Sequence, residues 1–320
     1  MCSARGSRNR ASAVESLHHL AERNFDRKRM RALLGSVAIL LLGGCGAKRQ
    51  PHPDQFRYPI GVFIQAQQND FWQAVETGLR RRLNMANVEL TIRYFREGER
   101  ERVAKEMAEG DWRAVALCAL PNDWATNTIQ QVMSNGIPVV CLATDVPDSV
   151  RMGFVGTYYY DAGRKAGTWY ARRVARGVVV VIVGHPVPRA GSEFWEGFRH
   201  GLLFNRRVRA RLVSLADSRQ AWQAFQRVRR DPAVQGIFLM GGEVAQQVLD
   251  NWGDQPPPQR LGVFSWRKEM EAAYLHGWCD LLFIEQPEQI GERLGNMLRD
   301  SSAGRSKFQQ VFVPYQRWAR

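Results

Sequence analysis

Val178-Val179-Val180-Val181-Ile182-Val183-Gly184 carries six consecutive β-branched aliphatic residues and no charge. A strand with one wet face alternates apolar and polar residues; this one does not, so both its faces are buried, as in a parallel sheet covered by helices on each side. Working outward, the spacing predicts further strands over Ile60–Gln65, Glu89–Phe95, Val115–Leu120, Pro138–Ala143 and Met152–Thr157 upstream. Downstream they fall at Arg209–Leu215, Gly236–Met240, Leu261–Ser265, Asp280–Glu285 and Gln310–Pro314. Between them lie amphipathic stretches such as Trp72–Ala86, where Trp72, Val75, Leu79 and Leu83 repeat at helical spacing. Strand–helix alternation over about 250 residues implies an α/β protein with parallel sheets, and two lobes fit that length better than one.

In open α/β sheets ligands bind beyond the carboxyl ends of the strands, so the turns after the strands are where a site is expected. Aromatic residues gather there: Phe71, Trp72, Trp124, Phe194, Trp195 and Trp266. Flat rings in a cleft suit the C–H face of a pyranose, a planar ring or a cation. The competing reading is that such rings pack on helix starts or between lobes.

The chain of 320 residues carries a net charge of +14, and its 45% apolar and 24% charged residues exclude wholesale disorder. Five cysteines (Cys2, Cys45, Cys118, Cys141, Cys279) are too few for a disulfide scaffold. One apolar run, Ala32 to Gly44, follows Arg27-Lys28-Arg29-Met30-Arg31. It is shorter than the roughly 20 residues a membrane span needs but has the basic lead and apolar heart of a secretory signal. Its end, Leu41-Leu42-Gly43-Gly44-Cys45, resembles a bacterial lipobox, which makes residues 1–44 a leader and Cys45 the lipid attachment site. Met30 is the expected initiator, since Met-Arg-Ala-Leu-Leu is a conventional signal start. Residues 45–57 read as a linker. The leader holds eight basic and three acidic residues, leaving +9 on the mature chain.

Six short motifs then follow in order. They are Ile60-Gly61-Val62 with Asn69-Asp70-Phe71-Trp72; Asn135-Gly136-Ile137-Pro138-Val139-Val140 with Asp145-Val146-Pro147-Asp148; and Phe154-Val155-Gly156-Thr157 leading into Asp161-Ala162-Gly163-Arg164-Lys165-Ala166-Gly167. Glu196-Gly197-Phe198-Arg199, Val234-Gln235-Gly236-Ile237-Phe238 and Gln286-Pro287-Glu288-Gln289-Ile290-Gly291 complete them. Through these the chain resembles a family I periplasmic binding protein, of the ribose-binding-like branch of ABC-importer receptors. The resemblance implies two Rossmann-like lobes, periplasmic binding protein-like type I, joined by three crossovers that act as a hinge. It places the crossovers near Thr157–Tyr159, Glu285–Gln286 and Gln310–Val313. Lobe one would then be residues 58–157 plus 286–309, and lobe two 158–285 plus 310–320.

The same resemblance makes Asn69 a polar hook and Phe71 and Trp72 stacking rings. Elsewhere the sugar-binding groups are replaced: the Asp–Arg pair after the fourth strand is Ala143-Thr144, the Arg before Glu-Gly-Phe is Phe194, and the Asn-Asp after Gly-Ile-Phe is Gly241-Gly242. The Asp of Gly-Phe-Asp is Ser265, and the Gln ahead of the second crossover is Glu285. Charge-assisted bonds of this type contribute about 1.5–3 kcal/mol each, so losing several offsets most of a micromolar affinity of about 8 kcal/mol. The candidate ligand-binding residues are therefore Asn69, Phe71, Trp72, Trp124, Asp145, Phe194, Trp266 and Glu285, with Glu243 and Asp123 as further acidic anchors. Three readings stand: an altered small ligand bearing a ring or amine, an ordinary carbohydrate in a rearranged site, and a degenerate cleft that serves a protein partner.

No nucleophile elbow, phosphate loop or metal-ligand spacing is present in the sequence, and none of the six histidines stands in a ligand pattern. The expectation is a binding protein rather than an enzyme, with no cofactor and no metal. Gly241-Gly242 could admit an anion at a helix start, and His185 could touch a ligand or only brace its loop. Arginine clusters at Arg80-Arg81-Arg82, Arg206 to Arg211 and Arg227 to Arg230 read as solvated helix faces, with a smaller attraction to anionic lipid headgroups. They accompany no nucleic-acid reading element, so no nucleic-acid partner is expected. The expected partners are a small-molecule ligand, the permease or sensor subunits of a membrane complex, and the membrane itself through the lipid anchor. The chain is expected to be a monomer, in the periplasm or otherwise outside the cytoplasm.

Overall fold

Val179, Val181 and Val183 turn to one face of their sheet and Val180 and Ile182 to the other, and all five are buried. That is why the opening stretch has no polar alternation. The structure, a computed structural model, describes residues 58–84, 87–184, 189–253, 258–305 and 307–320. The leader, Met30, Cys45 and His185 lie outside the described residues.

The first sheet has the order β11-β5-β4-β3-β1-β2 and is parallel throughout. Its strands are β1 (Tyr58–Ile64), β2 (Val88–Tyr94), β3 (Ala114–Cys118), β4 (Val139–Leu142), β5 (Gly153–Thr157) and β11 (Gln309–Val313). One face packs against α1 (Asp70–Leu83) and α9 (Pro287–Ser302) through Ile60, Val62, Val75, Leu79, Ile290 and Leu294. The other packs against α2 (Arg100–Glu109) and α3 (Asp123–Ser134) through Phe63, Leu117, Val103, Met107 and Ile129.

The second sheet has the order β12-β10-β9-β8-β6-β7. It contains β6 (Gly177–Val183), β7 (Val208–Ser214), β8 (Val234–Met240), β9 (Arg260–Ser265), β10 (Leu281–Ile284) and β12 (Gln316–Ala319). Helices α4 (Tyr159–Arg173) and α5 (Arg189–Leu202) cover one face; α6 (Ala221–Arg229), α7 (Gly242–Asp250) and the short α8 (Glu269–Leu275) cover the other. The strand β12 was not expected from sequence, and it runs antiparallel to β10 at the sheet edge.

Two helix pairs, α1–α9 and α4–α5, approach backbone to backbone. A Cβ on Gly78 would lie 2.0 Å from the Glu288 carbonyl oxygen, and one on Gly291 would lie 2.0 Å from that of Val75. Gly163 and Gly197 meet Phe194 and Tyr160 backbone oxygens in the same way, each at 2.0 Å.

The chain passes from the first sheet into α4 after Thr157, returns into α9 after Glu285, and passes into β12 at Pro314-Tyr315. The sequence reading assigned 310–320 to the second lobe; the ladder from Gln309↔Gly153 to Val313↔Thr157 instead puts β11 in the first. The third passage is fixed by Tyr315, whose hydroxyl donates to Asp161 at 2.7 Å. Burial opposes the Asp161 charge, but bonds from Lys165, Tyr315 and Arg164 hold its pKa below the ordinary value.

Candidate ligand cleft

Asn69 caps α1: its side-chain oxygen accepts from the Trp72 backbone N–H at 3.1 Å, the usual role of Asn at this position. Its amide nitrogen donates to Glu243 of α7, in the opposite lobe, at 3.4 Å. Asp70 meets Arg267 across the same gap at 3.5 Å, and the Phe71 and Trp266 ring centroids lie 6.1 Å apart. The loop after β1 thus touches the turns after β8 and β9, and the lobes close on each other.

Between these contacts lies a cavity of about 210 Å³. Lobe one gives it Asn69 and Phe71; lobe two gives the segments 240–243 and 264–266 with Ala190. Its floor is the hinge, Tyr159 and Glu285. Glycine is required at two points of this wall. Gly241 has φ of +114°, and a Cβ on Gly242 would sit 2.5 Å from the Trp266 indole nitrogen. The glycine pair therefore seats the Trp266 ring.

At the hinge, Glu285 Oε1 accepts from the Thr157 hydroxyl and the Tyr159 hydroxyl, both at 2.6 Å. All three residues are buried. Burial raises the Glu285 carboxyl pKa, and the two hydroxyl bonds pull it down without cancelling that effect. Burial, and then the Glu285 charge, push the Tyr159 phenol well above its ordinary range. One carboxylate thereby joins the first crossover to the second.

Four of the eight residues expected from sequence, Asn69, Phe71, Trp266 and Glu285, line this one cavity. The other four do not. Trp72 is in the core between sheet one and α1, and Phe194 is wholly buried, stacked on Phe238 at 4.8 Å. Trp124 packs on Phe95 at 5.9 Å with the Arg100 guanidinium 5.4 Å above its ring. Asp145 is held by Arg151 in a mostly buried pair at 2.5 Å and receives a bond from Gln310 at 3.3 Å, so its charge is spent inside the β4–β5 connection. Of the residues not chosen from sequence, Tyr159 is the consequential one. Its place directly after a crossover was the available signal. No group of three His, Cys, Asp or Glu able to hold a metal occurs among the described residues.

The sequence profile of the periplasmic binding protein domain matches residues 60–306. The chain belongs to that family. Among solved structures, a glucose-galactose binding protein from Geobacillus stearothermophilus is similar at 20% identity and a TM-score of 0.71, covering 83% of this chain and 98% of its own. An ABC transporter solute binding protein from Burkholderia graminis, in complex with D-arabinose, gives 15% identity and 0.71 over 82% of this chain and 95% of its own. A XylFII–LytSN complex gives 17% and 0.70 over 82% and 98%. At these identities the likeness shows the fold. A search of the curated proteins gave no sequence match. As a periplasmic binding protein the chain is of a solute-binding kind that works outside the cytoplasm.

Proposed function

We propose that this periplasmic binding protein is a lipoprotein, attached through Cys45, that traps a small carbohydrate-like or ring- and amine-bearing ligand between its lobes and delivers it to an ABC importer. The observation that carries the reading is the cavity itself, with Phe71 from one lobe and Trp266 from the other. At about 30 Å³ per water, 210 Å³ holds about seven waters. It falls below the roughly 300–1,000 Å³ of pockets for drug-sized molecules. A monomeric ligand fits; an oligosaccharide does not. Among the described lining residues the charged ones are Glu243 and Glu285, which favours neutral or cationic ligands over anions.

Capture works through closure. The Asn69–Glu243, Asp70–Arg267 and Phe71–Trp266 contacts form only when the lobes meet, and a ligand enclosed in the cavity beside the rings adds its burial to that state. A calorimetric screen over monosaccharides, nucleosides and diamines tests this. The expected result is a binder whose affinity falls about tenfold or more in Phe71→Ala and in Trp266→Ala and is unchanged in Trp124→Ala. A ligand that binds equally well to both ring variants would refute the site.

A second reading is supported by the replacement of family sugar ligands with Phe194, which is core, and Ala143, which is outside the cavity. On that reading the cleft is inert and the closed protein docks onto a membrane sensor. A flat ligand screen together with stable capture of a membrane subunit would select it.

A further inference from the structure

At the pole of lobe two opposite the ligand cavity, where β6, β7, β8 and β9 begin, a groove of about 790 Å³ is lined by Arg173, Arg176, Arg207, Arg209 and Arg260. Its remaining lining residues are small or uncharged, such as Ala175, Gly177 and Gln235, with no acid among them. Arg260 is paired with Asp280 at 3.0 Å, and Arg173 lies over the Trp169 ring at 4.7 Å. No carboxylate reaches Arg173, Arg176, Arg207 or Arg209 among the described residues.

Beside the groove is the least covered apolar pair of the lobe, Leu203 at 70% and Phe204 at 76% exposure. The placement is built. Asn205 donates from its side-chain amide to the carbonyls of Ala171 and Val174 at 3.1 and 2.9 Å, and Gly177 N–H donates to the Arg207 carbonyl at 3.1 Å. These bonds hold the Leu203-Phe204 tip against the end of α4, which carries Arg173, and the connection after it, which carries Arg176.

Exposed Leu-Phe beside unpaired guanidinium groups is the combination that enters a lipid interface: the apolar tip sits at the acyl boundary and the cations pair with headgroup phosphates. A duplex nucleic acid would use the cations and leave Leu203 and Phe204 in water. We propose that this pole is a docking surface for an anionic phospholipid membrane, separate from the Cys45 anchor and from the ligand cavity. Its position beyond the amino ends of the strands leaves the cleft, at their carboxyl ends, free to open and close while the pole is on the lipid.

The test uses the full chain carrying Cys45→Ser, so that no acyl chain contributes, with vesicles of phosphatidylcholine alone or with about one-third phosphatidylglycerol. Amide hydrogen exchange over residues 171–177 and 202–210 localises the contact, so binding through the leader is read separately. Anionic vesicles are expected to slow exchange in both segments, and neutral vesicles to leave them unchanged. In Arg176→Glu/Arg209→Glu the protection disappears and the preference for anionic vesicles falls about tenfold or more; Phe204→Ser weakens it about tenfold. Both variants change exposed side chains and are expected to melt as the parent does. Unchanged exchange in these segments on anionic vesicles would overturn the proposal. So would protection of the same segments by a DNA duplex and not by vesicles.

Discussion

Glu285→Gln is expected to raise stability at neutral pH and to remove one component of its pH dependence. Glu285 is 6% exposed, and its Oε1 accepts two hydroxyl bonds of 2.6 Å. Burial holds its carboxyl pKa above the ordinary 4.5, despite those bonds, so the folded chain binds this proton more tightly than the unfolded chain. The sign follows: the contribution to stability is fully present below the ordinary carboxylate range and is lost as pH rises through the raised folded value. Glutamine keeps an oxygen for Thr157 and Tyr159 but carries no charge. Two charge-assisted bonds become neutral ones, a loss of about 1 kcal/mol each. Against that stands the removal of a buried charge whose effective desolvation penalty is several kcal/mol. The net gain at pH 8 is on the order of 1–2 kcal/mol. Urea denaturation of both proteins between pH 4 and 8 reads it as a difference, which cancels every other titrating group. That difference should be near zero at pH 4 and grow in favour of glutamine with rising pH. Growth in favour of glutamate would refute the reasoning, because the fold would then be stabilising the carboxylate. Glu285→Ala separates charge from bonding: it leaves two buried hydroxyls without an acceptor, at about 1–3 kcal/mol each, and should destabilise at every pH.

Burial pushes the thiols of Cys118 and Cys141 up to about 12, so neither should react with a thiol reagent at pH 8 until the chain unfolds. Rapid labelling of either in the native state would contradict the packing. Gly291→Ala places a methyl against the Val75 carbonyl and should lower Tm by about 4–10 °C, whereas Gly98→Ala, with open space around its Cβ position, should be near neutral. Arg267→Ala removes an interlobe ion pair with partners 26% and 64% exposed, worth about 0.2–1 kcal/mol, so ligand affinity should fall by less than about fivefold and less still in high salt. A drop beyond tenfold would mean that Arg267 touches the ligand.

The strands were legible because burial on both faces leaves an unbroken apolar run. In β3, Ala114, Ala116 and Cys118 face α1 and α9, while Val115 and Leu117 face α2 and α3. The same alternation answers a question the sequence left open. Cys141 pairs with Leu117, and Cys118 is on the opposite face, so the two thiols point away from each other and stay free. Strand β12 was missed because Gln316-Arg317-Trp318-Ala319 is a short, polar edge with no apolar run to betray it. The family motifs were visible as patterns but not as causes: Gly163, Gly197 and Gly291 are all points where two helix backbones touch.

The site divides along a different line. The loops expected from sequence do border the interlobe cavity, because the carboxyl ends of parallel strands meet there by topology. What it could not supply is rotation. Consecutive residues of a helix point about 100° apart. Phe71 therefore turns to the cavity while Trp72, its neighbour, turns to the core, and nothing in their chemistry distinguishes the two. Phe194, in the second turn of α5, likewise points into the core of the second lobe rather than to the cavity. Glu285 lies at the hinge and lines the cavity, and it has partners there that the sequence did not show. The carboxylate expected to meet a cationic ligand already holds the hydroxyls of both Thr157 and Tyr159. A ligand that engages it must share that carboxylate with the first crossover. Binding at Glu285 would then be coupled to the hinge by a hydrogen bond rather than by lobe contact alone. The expected signature is a ligand affinity that changes in Tyr159→Phe, although the lost hydroxyl sits on the crossover side of the carboxylate; an affinity indifferent to that change would leave Glu285 a purely structural brace.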